Sequence, residues 1–207
     1  MPRSPVPLEV EIKIRLSDAA TGRRLLRKAG FRVSRPRALE SNTLFDTKDQ
    51  SLRKRGLLVR LRSYGGASVV TFKGPAALTA GSRKGSMHRS REEHETTVSN
   101  PRALLAVWSQ LGLEPGFRYE KYRTFFRRPA DSGGVAMLDE TPIGDFLELE
   151  GKAYWIDRVA ALLGFTPADY VHESYVGLHA AECRKLGRPF GDMLFKIRRE
   201  SARKRRL

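Results

Sequence analysis

From Glu9 to Leu16 charged and apolar residues alternate without a break, and the same period of two recurs on at least five segments of the chain. In a β-strand, residues i and i+2 point to one face. Glu9, Glu11 and Lys13 therefore project one way and Val10 and Ile12 the other; further along, Glu148 and Glu150 repeat the arrangement with Leu149 opposed. Two acidic pairs at this spacing have the geometry of a hard-cation site on a sheet.

Basic side chains keep the same parity. Arg60 and Arg62 oppose Val59 and Leu61, Thr71 and Lys73 oppose Val70 and Phe72, and Arg89, Arg91, Glu93 and Glu95 share a face, as do Lys121 and Arg123. On one strand this pattern is an ordinary solvated face with cross-strand ion pairs. Its recurrence, together with a recurrent apolar face, predicts a sheet covered by helices on its apolar side and closed on itself, with the charges lining a tunnel or deep trough. Closure also removes exposed strand edges.

A lumen of roughly eight basic and six or seven acidic side chains is costly unless its contents complete the pairing. An elongated polyanion with a divalent metal does so. Guanidinium and ammonium groups take phosphate oxygens by charge-assisted hydrogen bonds, while clustered carboxylates repel phosphate unless a cation lies between. Carboxylate ligation without a Cys/His set favours Mg2+ or Mn2+ over Zn2+.

The element order is read as follows. A strand over 9–16 leads to a helix capped by Ser17-Asp18 and ended by Gly30. An extended segment over 39–45 precedes a short helical turn over 49–55 closed by Gly56. Strands over 57–63 and 68–73 form a hairpin through Tyr64-Gly65-Gly66-Ala67. The stretch from Gly74 to Gly85 reads as a mobile loop at a mouth, followed by a strand over 87–98 and a helix from Pro101. Strands over 117–128, 135–138 and 145–150 come next, then helices over 154–163 and 174–186. The fold class is α+β around one antiparallel sheet, a single domain over 1–190 followed by a basic tail over 191–207.

The chain of 207 residues carries 39 Lys and Arg against 23 Asp and Glu, a net charge of +16. Residues 196–207 alone contribute seven basic residues and one acidic. Such a tail reads either as a solvated terminus or as a weak contact for polyphosphate or nucleic acid. No apolar run spans a membrane or resembles a signal peptide, so the cytoplasm is the expected location. The lone Cys183 reads as a small core residue, and Trp108 and Trp155 as core. His88, His94, His172 and His179 read as structural or surface groups. Monomer and homodimer both fit the sequence.

The ordered succession of motifs resembles the CYTH, or triphosphate tunnel metalloenzyme, superfamily. Glu9-Val10-Glu11-Ile12-Lys13 matches its Glu-x-Glu-x-Lys signature. The likeness continues through Asn42 to Thr47, Leu52 to Leu57 with Arg60-Leu61-Arg62, Thr71 to Gly74, Arg91 to Glu95, Lys121-Tyr122-Arg123, Leu138-Asp139 and Phe146 to Gly151. The resemblance implies an eight-stranded antiparallel tunnel for a triphosphate-bearing small molecule and a divalent metal. Glu9, Glu11, Asp139, Glu148 and Glu150 would hold the metal, with Glu9, Glu11 and Lys13 at the reacting centre. Lys13, Arg60, Arg62, Lys73, Arg91, Lys121 and Arg123 would hold phosphates, and Glu93 and Glu95 would either serve the metal or orient arginines.

Hydrolysis of a triphosphate and cyclisation of ATP both fit such a cradle. Class IV adenylyl cyclases resemble one another in a His-Phe pair upstream of the signature, where this chain has Met1-Pro2, and Leu44 stands where the family often has Tyr. The reading is therefore a triphosphatase first and an adenylyl cyclase second. A binding module for polyphosphate or nucleic acid is the alternative of another class.

Overall fold

Strand alternation becomes a closed wall in the computed structural model, which describes residues 8–129 and 131–196. In chain order the elements are β1 (Leu8–Arg15), α1 (Ala19–Lys28), β2 (Arg32–Thr47), α2 (Ser51–Lys54), β3 (Leu58–Tyr64), β4 (Ala67–Lys73), β5 (Ala77–Ala80) and β6 (Met87–Thr97). Then follow α3 (Pro101–Gln110), β7 (Leu113–Arg128), β8 (Asp131–Thr141), β9 (Gly144–Gly151), α4 (Ala153–Leu162), β10 (Tyr170–Val171) and α5 (Tyr175–Lys185). The hydrogen-bonded order is β10-β1-β9-β8-β7-β2-β3-β4-β6-β5, and a further β1–β6 ladder joins the two flanks. Eight strands thus close into an antiparallel barrel, with β5 and β10 as additional short strands.

Closure depends on β1 having two differently used edges. Glu11 pairs with Glu150 of β9 on one side and Arg89 of β6 on the other; farther along, Lys13 pairs with Glu148 on the first side and Val171 of β10 on the second. β6 and β10 therefore share one edge of β1 in succession.

The apolar parity faces outward. Ile12 and Ile14 of β1 and Leu147 and Leu149 of β9 are buried beneath Trp155, Ile156 and Val159 of α4 and Leu26 of α1. Each such side chain contributes about 1.5–3 kcal/mol on burial, which is what holds the barrel's charged face inward. Asp18 caps α1 by accepting from the Thr21 amide at 2.7 Å, and Gly30 leaves the helix at φ 84°. A satellite cluster of Phe117, Tyr119, Phe146, Tyr175 and Met193 packs across one end of the barrel.

Several segments differ from expectation. β2 is much longer than the extended segment over 39–45, because bulges between Val33 and Arg35 and between Arg35 and Ala38 accommodate Pro36, which has no amide to donate. The supposed loop from Gly74 to Gly85 contains β5, whose Ala77 to Ala80 add to β6 without any alternating signal. Its following turn is pinned: Asp157 of α4 accepts from the Ser82 and Arg83 amides and from the Ser82, Ser86 and Tyr170 hydroxyls, and contacts His88 at 2.8 Å. A Cβ on Gly81 would collide with Ser86, His88 and Asp157.

Trp155 is fully buried as expected, but Trp108 is only half-buried, its ring set edge-on to Phe45 at 4.8 Å. Cys183 is buried on α5. Residues 192–195, assigned from sequence to the tail, lie against β7: Met193 exchanges backbone hydrogen bonds with Arg118 and Glu120, and Asp192 pairs with Arg118 at 2.7 Å. Residues 197–207 lie outside the described part of the chain. No helix among the described residues is long and apolar enough to cross a membrane.

Candidate active site

The barrel interior is a cavity of about 140 Å³ lined by the side chains that share the inward parity. Glu9, Glu11 and Lys13 reach it from β1, Arg60 and Arg62 from β3, Lys73 from β4, Arg89, Arg91, Glu93 and Glu95 from β6, Lys121 and Arg123 from β7, and Glu148 and Glu150 from β9. Eight cations thus face six carboxylates. Ser174, Tyr175 and Val176, at the start of α5, close over one end together with Leu44 and Leu58.

These charges segregate into two zones. In the deeper one, Lys13 pairs with Glu148 at 2.9 Å, Lys121 with Asp139 at 3.0 Å and Glu40 at 3.5 Å, and Arg123 with both Asp139 and Glu148. Asp139 is fully buried, does not line the cavity, and has both oxygens engaged: Arg123 donates to each, and Lys121 and the Tyr175 hydroxyl also donate to Oδ2. Burial raises the Tyr175 hydroxyl pKa well above its usual value, and the Asp139 carboxylate adds to the effect, so it remains a donor. The Tyr175 ring lies 4.5 Å from Lys13 Nζ and 5.1 Å from Lys121 Nζ.

Glu40 and Asn42, inward-facing on β2, were not singled out from sequence, although their spacing of two carried the signal. Burial acts to raise the Glu40 pKa, but Lys121, Arg123, Arg60 and Arg62 together hold it down to about 2. Because the folded value is below the unfolded one of 4.5, the stabilisation is complete above pH 4.5 and is lost as pH falls toward 2. Acid unfolding of Glu40→Gln should lack a contribution on the order of 3 kcal/mol present in the parent over this window. Identical acid-unfolding curves would refute the assignment.

In the outer zone the carboxylates are poorly compensated. Glu11 stands directly opposite Glu150 across the β1–β9 ladder, an unfavourable like-charge pairing. Burial, then Glu9 and Glu11, push Glu150 up to about 7. Burial also raises Glu9 against the opposing pull of Lys73, with which it is paired, and Glu93 pushes it up further. Glu11 meets Arg89 at 3.5 Å. Glu95 bridges Arg60 at 3.3 Å and Arg62 at 3.0 Å, and Glu93 meets Lys73 at 3.1 Å, so both orient cations. Among the described residues no three His, Cys, Asp or Glu side chains stand in metal-holding proximity.

Donors are left over as well. The Nε groups of Arg60 and Arg91 are buried without an acceptor, and Arg91 makes no ion pair among the described residues. Burial and neighbouring Arg89 lower its affinity for its proton. Orphaned guanidinium donors beside mutually repelling carboxylates are what a polyanion and a hard cation would jointly satisfy.

The structure also joins Ser86 and His88, two residues apart, to Asp157, about seventy residues farther along the chain. Ser86 Oγ and Asp157 Oδ1 both contact His88 Nε2, and Nδ1 has no partner. A nucleophile–base–orienter chain needs the two ring nitrogens used separately; this cluster anchors a turn.

Comparison with known proteins supplies the family. A model of the CYTH domain matches residues 7–162. The chain belongs to the CYTH domain family. A Methanocaldococcus jannaschii protein named “Putative adenylate cyclase” is 25% identical over 143 residues, 69% of this chain and 76% of that protein. A similarly named Vibrio parahaemolyticus structure superposes with a TM-score of 0.70 at 20% identity, covering 84% of this chain and 99% of its own. A Hippeastrum structure, described as an adenylyl cyclase candidate revealing a dominant triphosphatase activity, has a TM-score of 0.55 at 20% identity, covering 88% and 97%. These likenesses carry the CYTH tunnel fold.

Proposed function

We propose that this CYTH protein hydrolyses inorganic triphosphate, or a related organic triphosphate, with the help of Mg2+ or Mn2+. The observation that carries the reading is the opposition of Glu11 and Glu150, next to Glu9, in a lumen where eight guanidinium and ammonium groups outnumber the carboxylates. The oxygen-only donor set suits a hard cation, and such a cation relieves the repulsion that lifts Glu150. Glu9, Glu11 and Glu150 are the ligands of this proposal, with Glu148 beside them. Asp139 serves instead as the buried anchor of Lys121 and Arg123, because both of its oxygens are engaged and it does not line the cavity. To take the ion, Glu9 and Glu11 give up Lys73 and Arg89, which are then released toward phosphate.

When bound, the metal supplies Lewis-acid polarisation of a phosphoryl oxygen and an activated water. The chain's residues supply position and charge. Arg60, Arg62, Lys73, Arg91, Lys121 and Arg123 hold the chain of phosphates in line, and Lys13, fixed by Glu148 and the Tyr175 ring, offsets charge building on the reacting phosphoryl group. The lumen, at about 140 Å³, is lined mainly by charged side chains, which suits a compact phosphate chain.

Purified protein should therefore release orthophosphate from triphosphate with Mg2+ or Mn2+, with thiamine triphosphate and ATP tested beside it. Cyclic AMP and pyrophosphate from ATP, with no orthophosphate from triphosphate, would establish the cyclase reading instead. Tight triphosphate binding without any turnover would leave a binding module.

A further inference from the structure

Beyond Arg62 and Arg123 the lumen continues into a wider chamber of about 340 Å³. The two cavities share Arg62, Arg123, Glu95 and Glu150 as a common wall, and the chamber adds Arg35 and Arg127. We propose that this chamber is a second anion subsite, and that the protein takes linear polyphosphates longer than three phosphoryl groups, the extra groups lying on Arg35 and Arg127. The inference rests on the triphosphate reading of the lumen and extends it.

Three observations carry it. First, strand geometry delivers both arginines to one place. Arg127 continues the inward parity of Lys121, Arg123 and Phe125 on β7, and the β2 bulges flanking Arg35 turn it toward the same chamber although it is out of step with Glu40 and Asn42. Bulges at barrel rims characteristically re-aim side chains.

Second, the cations there are in excess. Neither Arg35 nor Arg127 has a carboxylate partner among the described residues, and Arg127 stands directly opposite Arg32 across the β2–β7 ladder. Like charges in that position destabilise a sheet, and an anion held in the chamber beside Arg127 offsets this. The opposing carboxylates are two: Glu95, already paired with Arg62, and Glu150, which belongs to the proposed cation site.

Third, the chamber offers no open aromatic face for a base. Arg35 lies over the Phe125 ring at 5.1 Å, Arg123 stands at 5.7 Å, and Tyr64 meets it edge-on at 5.8 Å. Nucleobase recognition on single strands relies on such faces; further phosphoryl groups need only the guanidiniums.

The test compares tripolyphosphate with a linear polyphosphate several times longer as inhibitors of each other and as substrates, using the full chain and a 5′-triphosphorylated RNA oligonucleotide as a third arm. The parent should bind the longer polyphosphate roughly tenfold more tightly than tripolyphosphate. The double variant Arg35→Gln/Arg127→Gln, whose positions are exposed, should lose that increment while keeping tripolyphosphate affinity. Persistence of the increment in the variant would place it elsewhere and overturn the proposal, as would equal affinity for both chain lengths in the parent. An increment confined to the RNA arm would also overturn it in favour of a nucleic-acid end. Loss of tripolyphosphate binding in the parent itself would instead refute the reading of the lumen.

Discussion

Glu9→Gln and Glu11→Gln together should abolish divalent-ion binding by titration calorimetry and lower metal-dependent phosphate release by more than ~100-fold, the upper end of what loss of a mere outer-shell partner costs. Both positions lie on β1 where it closes the barrel, and glutamine preserves shape and hydrogen-bonding capacity, so the tunnel should persist. A triphosphate affinity that remains, or increases as carboxylate repulsion is removed, would accompany the loss. Undiminished turnover would refute the assignment of these carboxylates.

The largest effect on stability is expected at Asp139. Replacing it by Ala removes a shared carboxylate partner of two buried cations, Lys121 and Arg123, leaving them only Glu40 and Glu148, and removes the acceptor of the Tyr175 hydroxyl. Breaking a buried ion network from one side typically costs about 3–5 kcal/mol, because buried positive charge is left undercompensated. Urea unfolding of Asp139→Ala should show this loss, and a lowered midpoint should be partly restored by adding triphosphate, which supplies a substitute anion to the same cations. If Asp139 were a solvent-facing ligand, the substitution would change stability little.

The difference between these two predictions marks how far sequence can be read. Parity placed Glu9, Glu11, Lys13, Arg60, Arg62, Lys73, Arg91, Lys121, Arg123, Glu148 and Glu150 on one inward surface, and all of them line the cavity. Period two is a local property of the strand, so it survives any uncertainty about which strand pairs with which. Depth along the tunnel is not local. Asp139 and Glu148 have similar chemistry, yet one is sealed behind Tyr175 and the other lines the lumen, a distinction set by α5 and register rather than by neighbouring residues. Glu40 shares the period of two with Asn42, but its burial and its pairing with Lys121, on a strand far away in sequence, are not local properties.

Irregular backbone was less legible still. β2 and β7 run past Pro36 and Pro115 by shifting register, so both are longer than the segments expected over 39–45 and 117–128. β5 shows no alternation because all four of its residues are exposed. It exists by adding to a strand already in place, and the Asp157 contacts then fix the turn that follows.

The β1–β6 seam ties the tunnel's lining to its closure. β1, near the beginning of the chain, must await β6 for one edge and β9 for the other, and Glu11 meets Arg89 and Glu150 only when both ladders have formed. Contacts so distant along the chain are entropically late in folding. Site assembly and ring closure are thus one event: a partly synthesised or truncated chain ending before β9 has no partial version of the lumen, and any ligand that spans the seam acts as a fastener, slowing its reopening.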